Sequence, residues 1–295
     1  MPLLYYIILI PISYLPSWLL YRISDFLYFL LYQIIGYRKK VVRSNIQNSF
    51  PKLTTKEVIA IEKVFYVHFC DLIVESVKAF TISESEIKKR FTQRNPEIFK
   101  KYYDAHQELT LVGGHYGNWE LYAISVANQM PHQPVALFTP LTNKFMSDKI
   151  MASRSKFGLW LKNYEEVKEL INREHEQPLA IIFGTDQCPK LSQRPYWMEF
   201  LNQETGVQFG AEKFARENNT PVIYGAIHRL KRGHYEVVYE LVCENPNDLP
   251  LGQITELHTK CLERDIINEP AFWLWSHKRW KRTKKDFDAE LAKIN

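Results

Sequence analysis

Leu111-Val112-Gly113-Gly114-His115-Tyr116-Gly117-Asn118-Trp119-Glu120 decides how this chain is read. A short apolar stretch ends in two glycines, a histidine follows at once, and a carboxylate stands five residues on. An apolar run stopped by glycines reads as the end of a strand, and Trp119 to Asn128 reads as a helix. Within a regular helix a five-residue step turns two side chains about 140° apart, from 3.6 residues per turn. His115 and Glu120 therefore meet only if His115 stands before the helix and Glu120 lies in its first turns. Gly113, Gly114 and Gly117 permit such a turn. The helix N-terminus adds backbone N–H groups and positive dipole character. Two readings follow. In one, His115 takes a proton from a hydroxyl while Glu120 holds and polarises the ring. In the other, a loop histidine is simply bonded to a nearby helical glutamate.

Strands and helices alternate on both sides of this stretch. The pattern predicts strands at Glu108–Gly113, Val135–Phe138, Leu179–Phe183, Val222–His228 and Tyr235–Val242. It predicts helices at Thr55–Phe80, Asn143–Phe157, Glu165–Glu174, Glu212–Glu217 and Thr255–Ile267. Such alternation predicts an α/β fold with a mixed, largely parallel sheet flanked by helices. In such sheets a site lies beyond the carboxyl ends of strands, and His115 falls at one. Asp186 and Gln187 follow the apolar run Leu179–Phe183 at another; they either line a pocket or make a turn.

The fold is preceded by a hydrophobic helical segment. Leu3 to Tyr21 carries no charge, and a second apolar stretch runs from Phe26 to Gly36. A basic n-region and a small-residue cleavage site are both missing, which argues against a signal peptide. Two readings stand: a spanning helix, which needs about 20 apolar residues, or a helical anchor lying in the interface and kinked at Pro11 and Pro16. Tyr5, Tyr6, Tyr14, Trp18, Tyr21, Tyr28, Tyr32 and Tyr37 suit that depth. Arg38, Lys39, Lys40 and Arg43 follow directly and predict that the body faces the cytoplasm. Residues 1–36 read as a membrane anchor and 37–295 as one catalytic domain, since neither a repeat nor a low-complexity linker divides the rest.

Charge is uneven. Residues 1–50 and residues 271–295 each carry +4 against +5 for the whole chain, so the middle is slightly acidic. Basic ends suggest an anionic membrane surface as partner; the chain carries no nucleic-acid recognition motif. The tail (Lys278, Arg279, Lys281, Arg282, Lys284, Lys285) suits anionic head groups, substrate phosphates or an acidic carrier protein. Trp273, Trp275 and Trp280, interleaved with it, favour a membrane-interface role. Cys70, Cys188, Cys243 and Cys261 are widely spaced, which predicts reduced thiols. Neither a metal site nor a cofactor is expected.

At these residues the chain resembles the late acyltransferases of lipid A biosynthesis, within the wider H-x4-D/E acyltransferase superfamily. The resemblance covers nearly the whole chain. Asn45 to Pro51 resembles an element after the basic stretch, Gly113 to Glu120 the catalytic block with Glu in place of Asp, and Asp186-Gln187 a second block. Phe209 to Val222 resembles a helix-then-strand segment, and Pro270 to Lys281 the closing signature. The resemblance implies an inner-membrane enzyme whose site faces the cytoplasm. The donor would be an acyl thioester on acyl carrier protein, and the acceptor a hydroxyl of a lipid A precursor. It implies His115 as base and Glu120 as its partner. Arg154 would bind substrate, and Asp186, Gln187 and Asn118 join it as substrate-binding candidates. The loop from Gly184 to Lys190, continuing into Arg194-Pro195-Tyr196-Trp197, departs from the family in being so aromatic. That leaves other membrane lipids open as acceptors, such as an amino-acid lipid. Hydrolysis, and a non-catalytic membrane-binding role, are the alternatives.

Overall fold

The computed structural model describes residues 1–292. Among these residues nine strands form: β1 (Phe91–Gln93), β2 (Leu109–Gly113), β3 (Gln133–Leu137), β4 (Trp160–Lys162), β5 (Leu179–Gly184), β6 (Tyr196–Phe200), β7 (Gln203–Val207), β8 (Val222–Lys231) and β9 (His234–Cys243). Seven of them make one sheet in the order β1-β9-β8-β2-β5-β3-β4. Only β8 and β9 run antiparallel, as a hairpin; every other pair in that sheet is parallel. The fold is thus α/β with a mixed, largely parallel sheet.

Alternating side chains on the central strands serve two cores. Leu111, Ala180 and Ile223 face one side, with Leu121 and Ile124 of the Trp119–Ser125 helix. Val112, Ile181, Phe183 and Tyr224 face the other, with Phe214 of the Gly210–Asn218 helix and Leu262 and Ile266 of the Gln253–Asn268 helix. Central strands buried on both faces read as continuous apolar runs, which is why β2 and β5 stand out in the sequence. Each large aliphatic or aromatic side chain so buried stabilises the fold by about 1.5–3 kcal/mol.

The register of β2 and β5 places the site. Gly113 lies opposite Gly184, and the Thr185 N–H donates to the Gly113 carbonyl at 3.0 Å. His115 and Asp186 each stand two residues beyond that pair, so two parallel neighbours deliver them to the same edge.

Three expectations are corrected here. The aromatic stretch around Tyr196 and Trp197 is not a loop: it forms β6, paired with β7 in a separate hairpin. Trp273 and Trp275 are buried in the main core rather than set at a membrane surface. Arg279 in the basic tail is also buried, donating to the Thr205 hydroxyl and the Gly206 carbonyl at 2.9 Å each.

Residues 2–35 form helices that break at Leu15 and Pro16, both in extended backbone. Pro11 is accommodated differently. The helix widens into a π turn at Tyr5–Leu9 just ahead of it, where an α turn would press the ring on a carbonyl. None of the described helices is long and apolar enough to cross a membrane. The inner side of this segment packs on the long Thr55–Lys78 helix. Its outer side leaves Leu3, Ile7, Tyr14, Trp18, Phe26, Phe29 and Ile34 exposed. Tyr5 and Tyr32 are buried instead.

Candidate active site

His115 stands in the turn between β2 and the Trp119–Ser125 helix, as the spacing argument requires, and Glu120 is the second residue of that helix. The turn is held from both sides. The Gly117 N–H donates to the Phe272 carbonyl at 3.0 Å, and the Leu274 N–H to the His115 carbonyl at 3.1 Å. Gly117 adopts φ +61°, and a Cβ there would come within 2.6 Å of Ile227. At Gly114 a Cβ would meet Leu262 at 2.7 Å and Asp186 Oδ2 at 3.1 Å. Glycine at 114 lets the aspartate close on the turn.

The imidazole partner is Asp186, not Glu120. His115 Nδ1 donates to Asp186 Oδ1 at 2.6 Å, and the His115 backbone N–H donates to Oδ2 at 2.8 Å. The indole N–H of Trp273 also donates to Oδ2 at 2.8 Å. Asp186 is nearly fully buried, which alone would favour its neutral form. The charge on the His115 ring and these three hydrogen bonds outweigh that and hold its carboxyl down to about 2. On His115, burial disfavours the charged ring, but the Asp186 charge and hydrogen bond prevail, with Glu120 adding to them. The imidazole is a stronger base than free histidine. With Nδ1 committed to a carboxylate, Nε2 carries the lone pair. The Gln187 amide lies against it at 3.1 Å, and the Trp119 ring packs edge-on at 5.2 Å.

Glu120 is engaged elsewhere. Arg154 of the Lys144–Ser155 helix grips its carboxylate with two bonds, of 3.0 Å and 2.6 Å. Trp119 Nε1 donates a third at 3.2 Å. The expected direct contact between Glu120 and the His115 ring is therefore replaced by a Glu120–Arg154 fork at the mouth of the site. Asn118 is fully buried. Its side-chain oxygen accepts from the Leu121 N–H at 2.9 Å, and its amide donates to Glu75 at 2.5 Å. It caps the helix. Asparagine directly before a helix is a capping signal, and the sequence carried it.

The closing segment, singled out for its tryptophans and basic residues, clamps the Asp186–Pro189 loop. Beyond Trp273, His277 Nε2 accepts the Cys188 N–H at 3.1 Å. Arg282 donates to the Pro189 carbonyl. Burial pushes the His277 ring down to about 4, which keeps it neutral and able to accept. Among the described residues, no cluster of three or more His, Cys, Asp or Glu side chains could hold a metal ion.

Such an arrangement can accept a proton at Nε2 and holds the Arg154 guanidinium on Glu120 nearby. Residues 1–282 match the sequence profile of the bacterial lipid A biosynthesis acyltransferases. The chain belongs to that family. It is an acyltransferase of lipid A biosynthesis, and family membership implies a lipid A precursor as acceptor. No curated protein matches the acyltransferase chain. An apolar cavity of about 200 Å³ opens beside its Glu120–Arg154 fork, walled by Val77, Phe80, Ile124, Met146 and Ile150.

Proposed function

We propose that the enzyme moves a fatty acyl group from an acyl-carrier-protein thioester to a hydroxyl of a lipid A precursor. His115 is the base and Asp186 the residue that orients it. The acceptor hydroxyl displaces the Gln187 amide and gives its proton to His115 Nε2. The oxygen then attacks the thioester carbonyl. The tetrahedral intermediate collapses with loss of the thiolate, which takes the proton back from the imidazolium. Asp186 stabilises that imidazolium without taking its proton. Arg154, fixed by Glu120, supplies positive charge for the developing oxyanion. The cavity beside it receives the acyl chain, since apolar walls with a polar mouth suit a chain whose reactive end is polar.

Residues 1–36 act as an interfacial anchor, with the exposed side chains from Leu3 to Ile34 in the lipid and residues 37–295 as the catalytic domain. Arg38 and Lys40 after Gly36 and the exposed lysines of the tail (Lys278, Lys281, Lys284, Lys285) face anionic head groups, whereas Arg43 turns inward to Glu62. This reading places the enzyme at the cytoplasmic face of the inner membrane.

The observation that carries the proposal is the doubly bonded His115–Asp186 pair with Nε2 turned to Gln187. The test is acyl transfer from an acyl-carrier-protein donor to a lipid A precursor in vesicles. His115→Ala is expected to abolish transfer, and full activity in that variant would refute the mechanism.

A further inference from the structure

The Thr55–Lys78 helix carries three buried carboxylates: Glu62, Asp71 and Glu75. Buried carboxylates are costly unless donors surround them. Here each takes a donor from the N-terminal apolar segment. The Tyr32 hydroxyl donates to Glu62 at 2.9 Å, the Ser24 hydroxyl to Asp71 at 2.7 Å, and the Tyr21 hydroxyl to Glu75 at 2.8 Å. Arg232 reinforces the seam by bridging Asp25 at 2.7 Å and Asp71 at 2.6 Å. A simple tether would need apolar packing only.

The same helix also holds the catalytic turn, through His68 and Glu75. His68 Nε2 bonds the Gly117 carbonyl at 3.0 Å. Glu75 accepts the Asn118 amide at 2.5 Å through Oε2, while Oε1 takes Tyr21 and Oε2 also takes Tyr235 at 2.8 Å. One carboxylate thus joins the Ser17–Tyr28 helix to the cap of the helix that carries Glu120 and begins just after His115.

We infer that Glu75 is a positioning residue for acyl transfer, through which the Ser17–Tyr28 helix sets the catalytic turn. Glu75 fixes which way the Asn118 amide points. That orientation leaves the Asn118 oxygen free to cap Leu121, and the capped helix sets Glu120 and its Arg154 partner. The N-terminal helix is then part of the support of the active site as well as its membrane contact. The inference rests on the reading of His115 as the base.

The test swaps acid and amide across the buried pair in the full-length enzyme. Glu75→Gln alone places two amides together, and Asn118→Asp alone places two carboxylates together. In the double variant the new amide at 75 donates to the new carboxylate at 118, which still caps Leu121. With thioester donor and lipid A precursor vesicles, each single variant is expected to lose about tenfold or more in kcat with KM little changed. The double variant is expected to recover to within about threefold of wild type. Tyr21→Phe removes one hydroxyl and is expected to lower kcat about threefold while vesicle binding is kept. A folded double variant no faster than the slower single, or wild-type kcat in Tyr21→Phe, overturns the inference. If the double variant does not fold, Tyr21→Phe decides alone. His115→Ala in the same assay separates the two claims. If it is active, the base reading fails; if it is inactive while the Glu75 and Tyr21 variants match wild type, only this inference fails.

Discussion

His115 and Asp186 meet twice: imidazole Nδ1 donates to one carboxylate oxygen at 2.6 Å and the backbone N–H of the same residue donates to the other at 2.8 Å. The double contact fixes ring orientation and backbone position together.

The first consequence is electrostatic. Asp186 raises the His115 pKa against the pull of burial. Removing the charge by Asp186→Asn leaves burial as the larger influence, so the ring pKa is expected to fall below the ordinary 6.5. Only the neutral ring acts as base, so the acid limb of kcat/KM moves to lower pH while the maximal rate falls. Histidine NMR titration with the rate profile checks both signs. An unmoved His115 titration would contradict the pairing.

The Glu120–Arg154 fork predicts that arginine is required for its shape as well as its charge. Arg154→Lys keeps the charge and loses the two-bond grip. Transfer is expected to fall by about tenfold or more, chiefly in kcat. Double-mutant analysis with Glu120→Gln is expected to give less than the product of the two single losses. Independent effects would show that the two side chains work apart.

The cavity predicts chain-length selection. Met146 and Ile150 line it on the helix that carries Arg154. Met146→Trp is expected to favour donors shorter by several carbons, with little loss on the shortest. Product mass spectrometry across a donor series checks this; an unchanged length profile would place the chain elsewhere.

The proposed interfacial role of residues 1–36 predicts binding without spanning. Trp18 and Phe29 are exposed on the N-terminal helices, and each buried aromatic side chain contributes about 1.5–3 kcal/mol on leaving water. Trp18→Glu with Phe29→Glu is expected to release the enzyme from anionic vesicles in flotation while the thermal melt stays close to wild type. Retained flotation would contradict interfacial docking.

Much of this was legible in the chain. The apolar runs of β2 and β5, the glycine stops and the place of His115 before a helix all follow from local pattern. The partner of His115 did not. Glu120 is near in sequence, whereas Asp186 becomes a neighbour only because β5 inserts between β2 and β3 in the sheet, and strand order is a long-range property. One signal was present: each of His115 and Asp186 stands two residues past a glycine that ends a buried strand. Strands β1 and β4 have three residues each, too few for a period-two pattern. The β6–β7 hairpin was hidden by Pro195 and by aromatic residues that suggested an irregular loop. In the closing segment tryptophan and arginine pointed to a membrane surface, yet Trp273 and Arg279 supply buried N–H donors to the loop and hairpin beside the site.

The most direct test of the account compares Asp186→Asn with Glu120→Gln for acyl transfer to a lipid A precursor at saturating donor. Asp186→Asn is expected to lower kcat by on the order of 10²–10⁴, as loss of an orienting carboxylate does. Glu120→Gln, whose side chain bonds Arg154 and Trp119 and not the ring, is expected to lose clearly less. A larger loss in Glu120→Gln, with Asp186→Asn near wild type, would contradict the assignment of Asp186 as the partner of the base.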